Sequence, residues 1–487
     1  MMIGLNDITN RLSGVQQVLP GREDAFRRVV FDSRQAGEGD LFVAVRGTRT
    51  DGHRFIAGAV ERGVAAVCCE DLPAEPAPQV TWIVTENSAR ALGELASLYY
   101  GEPSARFRLT GITGTNGKTS IATSLYHLFR ALGYRTGLFA TTGILIDGEE
   151  HKTTHTTPDP LLLNEQMAQM ADRGVEYVFM EVSSHAADQE RIAGLHFAGG
   201  VFTNLSQDHL DYHRDFRSYL YAKKKFFDRL PQEAFALVNA DDRNSGVMLQ
   251  NTKARKVTYG TRTPADYRGK VLEMHFDGTL LLLDGREVWI PFVGDFSASN
   301  MTAVYAVSRL LGISGDEVLE KMSALPQVPG RFEVITSPEG VRGIVDYAHT
   351  PDAVGKVLKA IRRLCREGEK VLTVLGAGGN RDRSKRPRMA RLAYELSDIL
   401  ILTSDNPRDE EPEAIIAEML EGLTEKEQKE VISNPDRRQA IKTAVRMAKP
   451  GDVILVAGKG HETYQEIKGV KHHFDDREEL KKMMNVE

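Results

Sequence analysis

The stretch RLTGITGTNGKTSIATSLYHLFRALG, residues 108–133, decides the fold of the middle of this 487-residue chain. Its first residues are typical of a strand, and a glycine-rich turn follows them. Its second half has apolar residues at helical spacing, namely Ile121, Leu125, Leu128, Phe129 and Leu132, and Gly133 is placed to end that helix. The pattern predicts a strand, a phosphate-binding loop and a helix in direct succession.

The loop GTNGKTS, residues 114–120, has the residue types that a phosphate site needs. Its glycines let backbone N–H groups surround an anion, Lys118 supplies positive charge, and Thr119 supplies a hydroxyl for Mg²⁺. Five residues separate Gly111 from Gly117, so the loop is not a literal Walker A motif. A purely structural turn is the alternative, but the strand, turn and helix context favours ATP binding.

Length and pattern together predict three α/β domains, since a domain averages roughly 150 residues. Residues 1–107 are predicted to form a small N-terminal α/β domain. Residues 108–330 form a central P-loop ATPase-like domain with a mostly parallel sheet, and it ends near QVPGR (327–331), a turn suited to a hinge. In residues 331–487 apolar strands alternate with helical stretches, which predicts a Rossmann-like, doubly wound C-terminal domain.

The unusual motifs of the C-terminal segment each follow one of its predicted strands. They are DYAHTPDA (346–353), GAGGNRDRSKRP (376–387), SDNPRDEEP (404–412) and AGKGHETYQ (457–465). In a parallel sheet the ligand crevice lies beyond the carboxyl ends of the strands. We therefore expect Arg408 to face a crevice. The alternative is that Asn406 and Pro407 form a simple turn and that Arg408 pairs with Asp409 or Glu411 in solvent.

Composition limits the class of protein. The net charge of −6 argues against the broad basic face that nucleic-acid binding needs. No run approaches the ~18 apolar residues that cross a bilayer, so we expect no membrane insertion. The N-terminal residues lack the basic and apolar regions of a signal peptide, and we expect a cytoplasmic protein.

Three further residues are candidates for metal or phosphate chemistry. Glu181 ends the apolar run EYVFME, so its carboxylate should project from a strand end near the loop and can hold Mg²⁺. His209 lies at a strand-to-loop junction in FTNLSQDHLDYH, where a structural hydrogen bond is the alternative to a ligand role. Lys223 belongs to YAKKKFF, and spacing alone interprets these lysines as a solvated helix face.

Eight motifs in this order resemble the Mur ligases of bacterial peptidoglycan synthesis: GTNGKTS, EVSSH, TNLSQDHLDYH, YAKKK, DYAHTPDA, GAGGNRD with KRP, DNPR and AGKGHE. The resemblance covers nearly the whole chain, including FDSR (31–34) and GDLFVAVRGTRTDGHRF (39–55). It implies a monomeric, ATP-dependent ligase of cytoplasmic peptidoglycan precursor synthesis. Such an enzyme joins meso-2,6-diaminopimelate to the D-glutamyl side-chain carboxylate of UDP-MurNAc-L-Ala-D-Glu through an acyl phosphate.

The resemblance also implies roles for individual residues of the first two domains. Catalytic roles fall on Lys118, Glu181, His209 and Lys223. Two Mg²⁺ sites would use Thr119, Glu181, His209 and Lys223, the last as a carbamylated lysine. ATP would be bound by Gly114, Thr115, Asn116, Gly117, Lys118, Thr119, Ser120, Asn300, Arg331 and Asp346, of which the last two belong to the C-terminal domain. The N-terminal domain would bind the UDP end of the substrate.

Two further sets of residues are implied for the substrates. UDP-MurNAc-peptide would contact Ser33, Thr156, Thr157, Ser183, Gln189 and Arg191. The C-terminal domain would bind diaminopimelate through Arg381, Asp405, Asn406, Pro407, Arg408, Gly458 and Glu462. Arg408 would bind the distal carboxylate that lysine lacks, because a guanidinium holds a carboxylate with fixed geometry.

Other functions remain open from the sequence. The same ligase could use L-lysine, although relatives that do so typically lack the arginine of DNPR. A folylpolyglutamate synthetase-like ligase would share the phosphate loop but lack DNPR and the N-terminal motifs. A non-catalytic nucleotide-binding regulator would leave Lys223, His209 and Arg408 unexplained, and a kinase would release a stable phosphorylated product.

Overall fold

A computed structural model describes residues 2–47, 50–151, 156–208 and 212–486. The N-terminal domain contains a sheet of order β2-β7-β6-β5-β4, in which only β2 runs antiparallel to its neighbour. Strands β1 and β3 form a separate antiparallel pair. The elements are β1 Ile3–Gly4, α1 Leu5–Arg11, β2 Val15–Leu19, β3 Ala25–Phe26, β4 Val29–Val30, β5 Leu41–Val43, α2 Ile56–Glu61, β6 Ala66–Cys69, β7 Thr81–Thr85 and α3 Ser88–Tyr99.

The central domain is built on a sheet of order β11-β10-β9-β12-β8-β13-β14-β15-β16-β17-β18. Its strands are parallel from β9 to β16, and the pairs at both ends are antiparallel. The strands are β8 Arg108–Thr113, β9 Thr136–Ala140, β10 Gly143–Ile146, β11 Glu149–His151, β12 Tyr177–Glu181, β13 Phe197–Phe202, β14 Phe235–Asn239, β15 Arg255–Gly260, β16 Tyr267–His275, β17 Gly278–Leu283 and β18 Arg286–Ile290. The helices are α4 Lys118–Ala131, α5 Pro160–Asp172, α6 Ser184–Asp188, α7 Phe216–Asp228, α8 Ser245–Met248, α9 Asp295–Leu310 and α10 Gly315–Met322.

The C-terminal domain has a sheet of order β19-β20-β24-β21-β22-β23, parallel except at β19, and a separate hairpin of β25 and β26. Its strands are β19 Glu333–Thr336, β20 Arg342–Asp346, β21 Val371–Ala377, β22 Ile399–Ser404, β23 Ile432–Asn434, β24 Val453–Ala457, β25 Tyr464–Ile467 and β26 Val470–His473. Its helices are α11 Pro351–Leu364, α12 Lys385–Leu396, α13 Pro412–Leu420, α14 Glu425–Gln428, α15 Arg437–Met447 and α16 Asp476–Met483.

The predicted class of three α/β domains is confirmed, and so is the local prediction around the phosphate loop. Strand β8 lies between β12 and β13 in the interior of the central sheet, and α4 begins directly after the loop. Ile121, Leu125, Leu128 and Phe129 of α4 are buried in the core of this domain. The loop is therefore held between a buried strand and a buried helix.

One buried ion pair fixes the carboxyl edge of the C-terminal sheet. The Arg437 guanidinium donates to both carboxylate oxygens of Asp476, through Nε and Nη2, each at 2.7 Å. It also donates to the carbonyl of Ser404 (3.1 Å) and to that of Ala457 (3.0 Å), the last residues of β22 and β24. Both charged side chains are fully buried. The two strands that lead into SDNPRDEEP and AGKGHETYQ are thus joined at their ends.

None of the helices in the described ranges is long and apolar enough to cross a membrane.

Removing the carboxylate of this pair should destabilise the C-terminal domain strongly. Asp476→Asn leaves the Arg437 charge buried without its partner, and breaking a buried pair in this way costs about 3–5 kcal/mol. We expect a clear fall in the midpoint of urea unfolding. Glu478→Gln on the same helix is the control, because Glu478 pairs with His473 in solvent, where an ion pair contributes little to stability. Equal midpoints for the two variants would contradict the role given to Arg437.

Candidate active site

The carboxyl edges of the central and C-terminal sheets meet around a cavity of about 1930 Å³. Residues from both domains line it, and most of the predicted site residues are among them. These are Thr115, Asn116, Gly117, Lys118, Thr119, Ser120, Thr156, Thr157, Glu181, Ser183, Arg191, Lys223, Asn300, Arg331, Asp346, Arg381, Asp405, Asn406, Arg408, Gly458 and Glu462. Residues as far apart in the chain as Thr115 and Glu462 therefore converge on one space.

A few predicted site residues lie elsewhere. Gly114 and Pro407 stand next to lining residues, and Gln189 lies behind Arg191, from which its Oε1 accepts two hydrogen bonds (3.1 and 2.6 Å). Ser33 lies in the N-terminal domain, in a turn between β4 and β5, and does not line the cavity. His209 falls outside the described residues, so its position is not assigned.

The phosphate loop is packed tightly at its two glycines. Gly114 and Gly117 have φ of +149° and +90°. A Cβ atom on Gly114 would stand 1.9 Å from the Thr203 hydroxyl, and one on Gly117 would stand 2.6 Å from Oδ1 of Asn300. Asn300 therefore lies directly against the loop, although α9 is far away in sequence. The glycines are needed for backbone conformation and for this close approach.

Two lysines share one carbonyl at the start of the loop. Lys118 Nζ donates to the carbonyls of Gly114 (3.0 Å) and Thr115 (2.9 Å). Lys223 Nζ donates to the same Gly114 carbonyl (2.9 Å). Burial lowers the pKa of Lys118, although Glu181 and Asp208 favour its charged form. Burial, and then the charge of Lys118, place the pKa of Lys223 well below its usual value.

Neighbouring lysines of the same helix have different environments. Lys223 is 1% exposed, and its ammonium lies 4.6 Å from the centre of the Tyr219 ring. Lys224 points in another direction and pairs with Asp228, one helical turn later, at 2.6 and 2.7 Å. The interpretation of YAKKKFF as a solvated face is therefore wrong for Lys223 and Lys224, because α7 turns both side chains into the domain.

Glu181 supplies a buried carboxylate beside the phosphate loop. It ends β12 with no exposed surface, and its Oε1 accepts from the Thr141 backbone N–H (2.7 Å). Thr119 lines the same cavity. A carboxylate and a hydroxyl are oxygen donors that suit Mg²⁺. Within the described ranges no group of three or more His, Cys, Asp or Glu side chains is arranged for a metal.

The C-terminal domain contacts the phosphate loop directly. Arg331 Nη2 donates to the Thr119 hydroxyl (2.9 Å), and Asn116 Nδ2 donates to Asp352 (3.1 Å). The Arg331 guanidinium also stacks on the Tyr347 ring at 4.6 Å. Its Nε is buried and has no hydrogen-bond partner in the part of the chain that the structure describes. A buried, unpaired guanidinium N–H is costly, and an anion bound in the cavity would remove that cost.

Asp346 ends β20 and closes the same side of the cavity. Its two carboxylate oxygens accept from the backbone N–H groups of Phe332 (2.7 Å) and Ala348 (2.8 Å). Burial raises the pKa of this carboxyl, and the nearby Arg331 charge opposes the rise. Asp346 therefore fixes the backbone directly after Arg331 and directly after Tyr347.

The three carboxylates that follow Arg408 are bound to other residues. Asp409 accepts from Asn380 Nδ2 (2.7 Å), Glu410 accepts from the buried Arg386 (2.8 and 2.9 Å), and Glu411 lies 3.2 Å from Lys468. Arg386 holds the pKa of Glu410 down at about 2. The alternative in which Arg408 pairs with Asp409 or Glu411 is therefore wrong.

Arg408 itself is held at the cavity wall. Its Nη1 donates to the Gly379 carbonyl (2.7 Å), and its Nε lies 3.3 Å from Oε2 of Glu466. Arg381 is exposed, and its Nη1 reaches the carbonyl of Asn380 at 3.5 Å. Two guanidinium groups thus stand at one end of the cavity, where an anionic group of a ligand can bind.

A polar network connects the last two motifs of the chain. Asn406 Nδ2 donates to Glu462 (2.7 Å), and the fully buried Lys459 lies between Asn406 (3.2 Å) and Glu462 (3.3 Å). Burial and the charge of Asp405 raise the pKa of Glu462. A ligand ammonium group placed here would find two carboxylates beside a single lysine.

Sequence analysis missed several residues that organise this site. Lys459 and Arg386 are inside the quoted motifs but were given no role. Arg437 and Asp476 lie outside the motifs, and each is ordinary in its local sequence. Only the arrangement of the sheet edge shows that they act together.

The family comparisons agree with this geometry. Three family models match the chain: "Mur ligase family, catalytic domain" at residues 26–100, "Mur ligase middle domain" at 112–308 and "Mur ligase, glutamate ligase domain" at 330–460. The chain is 56% identical over 456 residues to a UDP-N-acetylmuramoyl-L-alanyl-D-glutamate–2,6-diaminopimelate ligase of Parabacteroides distasonis, and the match covers 94% of each chain.

Solved structures give the same result for the fold. A structure of a UDP-N-acetylmuramoyl-L-alanyl-D-glutamate–2,6-diaminopimelate ligase has a TM-score of 0.70 and 32% identity, and the match covers 100% of this chain and 99% of that one. The MurF ligase of Thermotoga maritima in complex with ADP has a TM-score of 0.61 and 21% identity, over 94% and 97% of the two chains. At that identity the second structure supports the fold alone.

Two histidines at the cavity should make stability depend on pH. Burial lowers the pKa of His349 to about 4 and that of His461 to about 3, and nearby positive charges add to both effects. A histidine in an unfolded chain titrates near ~6.5, so below that pH the unfolded state binds these protons more readily than the folded state. Stability should be complete above about pH 6.5 and should be lost as the pH falls toward 4.

The free energy of unfolding should fall by at most about 1.4 kcal/mol per pH unit for each histidine. Urea unfolding at pH 7 and pH 5 measures this fall, and His349→Gln and His461→Gln should each reduce it. His472→Gln, at an exposed position, is the control. A pH dependence that is the same in all three variants would contradict the assignment.

Proposed function

The chain belongs to the Mur ligase family, and from that premise we infer that it joins meso-2,6-diaminopimelate to the D-glutamyl side chain of UDP-N-acetylmuramoyl-L-alanyl-D-glutamate at the expense of ATP. The identity of 56% over 94% of the chain to a ligase of that name supports this substrate assignment. The observation that carries the inference is structural. Arg408 and the phosphate loop line one cavity, and the carboxylates nearest to Arg408 in sequence are bound elsewhere.

The reaction requires activation of a carboxylate. A carboxylate is a poor electrophile, so the γ-phosphoryl group of ATP is transferred to its oxygen and ADP leaves. The amino group of diaminopimelate then attacks the carbonyl carbon of the acyl phosphate and loses a proton, and phosphate departs as the amide forms. Two anions approach each other in the first step. The site must therefore supply positive charge and fixed positions rather than a nucleophile.

The phosphate loop and Arg331 supply that charge from this chain. Lys118 donates to carbonyls of its own loop, and burial weakens its hold on the proton. A bound phosphate would favour the charged ammonium and provide better acceptors. Arg331 has an unpaired buried N–H beside the loop. We propose that both groups turn to the ATP phosphates, while Asn300 against Gly117 and Asp346 beside Arg331 complete the ATP site.

We propose that Mg²⁺ is held by Thr119, Glu181, His209 and a carbamylated Lys223, in two sites that share Glu181. Mg²⁺ would supply charge neutralisation between ATP and the substrate carboxylate. The environment of Lys223 suits the modification, because CO₂ reacts only with a neutral amine and this lysine has a strongly lowered pKa. Lys224 is held by the carboxylate of Asp228 as an ion pair. The contacts therefore favour Lys223 over Lys224.

The UDP-linked substrate is proposed to extend from the cavity toward the N-terminal domain. Thr157 donates from its hydroxyl to the Glu181 carbonyl (2.9 Å), and its own carbonyl accepts from Arg191 Nη1 (2.9 Å). Thr156, Ser183 and Gln189 are next to this pair. We assign the muramoyl-peptide to these residues and the uridine end to residues 1–107 with Ser33. The diaminopimelate end falls to Arg381, Arg408, Gly458, Glu462 and the Asp405–Pro407 segment. We further propose a cytoplasmic, monomeric enzyme.

The alternatives are less well supported. A folylpolyglutamate synthetase-like ligase does not require the N-terminal region, which here matches a Mur ligase model at residues 26–100. A non-catalytic regulator would not need a guanidinium at the far end of the ATP cavity. Use of L-lysine would leave Arg408 without an anionic partner from the substrate.

The first test is phosphate release from ATP with UDP-MurNAc-L-Ala-D-Glu and either meso-diaminopimelate or L-lysine. Arg408→Ala should lower kcat/KM for diaminopimelate by about 10- to 100-fold, the value of a lost charge-assisted hydrogen-bonded pair, and should leave any activity with lysine unchanged. Arg391→Ala, an arginine of α12 whose pairs are outside the cavity, is the matched control. Equal use of the two amino acids by the unaltered enzyme would refute the substrate assignment.

The second test identifies the modified lysine. With ¹³C-labelled bicarbonate, a carbamate carbon signal should be present in the unaltered enzyme and in Lys224→Gln, and absent in Lys223→Gln. Lys223→Gln should also lose about 10²- to 10³-fold in kcat, in line with the loss of one preorganised charged group. A signal that persists in Lys223→Gln would assign the modification to another lysine.

A further inference from the structure

The hairpin of β25 and β26 is joined to the Arg408 loop like an additional strand. The Arg408 backbone N–H donates to the Glu466 carbonyl (3.0 Å), and the Lys468 N–H donates to the Arg408 carbonyl (2.7 Å). Arg408 has φ of +54°, a conformation that residues with a side chain rarely adopt. Two backbone hydrogen bonds from the hairpin therefore hold Arg408 in an unfavourable backbone geometry.

The same hairpin orients the Arg408 side chain. The Glu466 carboxylate lies 3.3 Å from Nε, and the Gly379 carbonyl accepts from Nη1 at 2.7 Å. Among the described residues, no hydrogen bond of Nη2 to a protein acceptor is found, whereas Nη1 has one. The guanidinium is thus fixed from two sides, and its remaining N–H groups are left for a ligand of the cavity that it lines.

Glu466 also reaches the neighbouring motif. Its backbone N–H donates to Oδ1 of Asn406 (2.9 Å), and the Asn406 amide in turn donates to Glu462 (2.7 Å). One residue of the hairpin therefore connects to Arg408 by its side chain and its carbonyl, and to Asn406 by its N–H. At 27% exposure the Glu466 side chain is screened from solvent far more than that of Glu411, at 67%.

We propose that Glu466 is a positioning and specificity-determining residue for the distal carboxylate of the amino acid, an inference that rests on the proposed function. An arginine side chain loses rotamer entropy when it is ordered. Glu466 orders it before the substrate arrives, so the substrate carboxylate meets a guanidinium that is already in place. Glu466 acts through Arg408 and does not touch the reacting atoms.

The opposite role is that Glu466 occupies the guanidinium and competes with the substrate carboxylate. The two roles predict opposite changes in KM for diaminopimelate. If Glu466 positions Arg408, its removal raises KM for diaminopimelate; if it competes, its removal lowers KM. The Glu466 carboxylate lies 3.3 Å from Nε, and no hydrogen bond to a protein acceptor is found for Nη2 within the described ranges, which favours positioning.

The test compares Glu466→Gln with Glu411→Gln in the full-length enzyme. Both variants remove a carboxylate that links the DNPR loop to the hairpin, but Glu411 pairs with Lys468 rather than with Arg408. Glu466→Gln should raise KM for meso-diaminopimelate by about 3- to 10-fold, with kcat and KM for ATP unchanged within about twofold. Glu411→Gln should change none of these constants, and Glu466→Asp should recover part of the loss.

A double-mutant cycle separates positioning from a general structural effect. In the Arg408→Ala background, Glu466→Gln should cause no further loss, because its partner is already gone. A KM for diaminopimelate that is unchanged or lower in Glu466→Gln alone would overturn the inference. So would a loss in the Arg408→Ala background as large as the loss that Glu466→Gln causes in the unaltered enzyme. If the unaltered enzyme releases phosphate without any response to diaminopimelate, the proposed function fails instead.

Discussion

Parallel strands leave all their carboxyl ends at one edge of a sheet, and in this protein two such edges face each other across one cavity. Most of the motifs follow a strand and therefore open at one of these edges. The central sheet brings the phosphate loop and Glu181 to the cavity, and helix α7 brings Lys223. The C-terminal sheet brings Asp346, Arg408 and Glu462 to its other side. The reaction needs this arrangement because phosphate donor, carboxylate and amine must meet within one closed space.

Burial gives the charged groups of the cavity their chemical character. Lys223 holds its proton weakly because it is desolvated and close to Lys118, whereas Lys224, one residue later, is paired with Asp228. Glu410 stays ionised far into the acid range because Arg386 is beside it. These differences in environment follow from the partner that each side chain finds, which residue type alone does not specify.

The three carboxylates that follow Arg408 show that specificity can depend on keeping competing charged groups away from a site. Three acids follow this arginine in sequence, and each is bound to a different partner: Asn380, Arg386 or Lys468. That distribution prevents the loop from neutralising its own guanidinium. The hairpin then supplies one carboxylate, that of Glu466, at 3.3 Å from Nε of Arg408. The positive charge of Arg408 is therefore available to a ligand in the cavity that this residue lines.

The sequence by itself determined the features that depend on residues close together along the chain. The apolar spacing of Ile121, Leu125 and Leu128 predicts α4, and the alternation of strands and helices predicts the doubly wound sheet, because periodicity is a local property of the chain. Position after a strand was also sufficient to place Arg408 at a crevice. The boundaries assigned to the domains and the roles assigned to the individual site residues, His209 and Ser33 included, stay predictions.

Only the tertiary structure decided which partner each charged side chain has. Arg437 with Asp476, Lys223 with Gly114 and Arg408 with Glu466 join residues that are 39, 109 and 58 positions apart. Each of these side chains has nearer residues of suitable charge or polarity, so spacing along the chain does not select the partner. The selection is made by burial, which excludes water and leaves each charged group only the partners that the packed strands bring within a few ångströms.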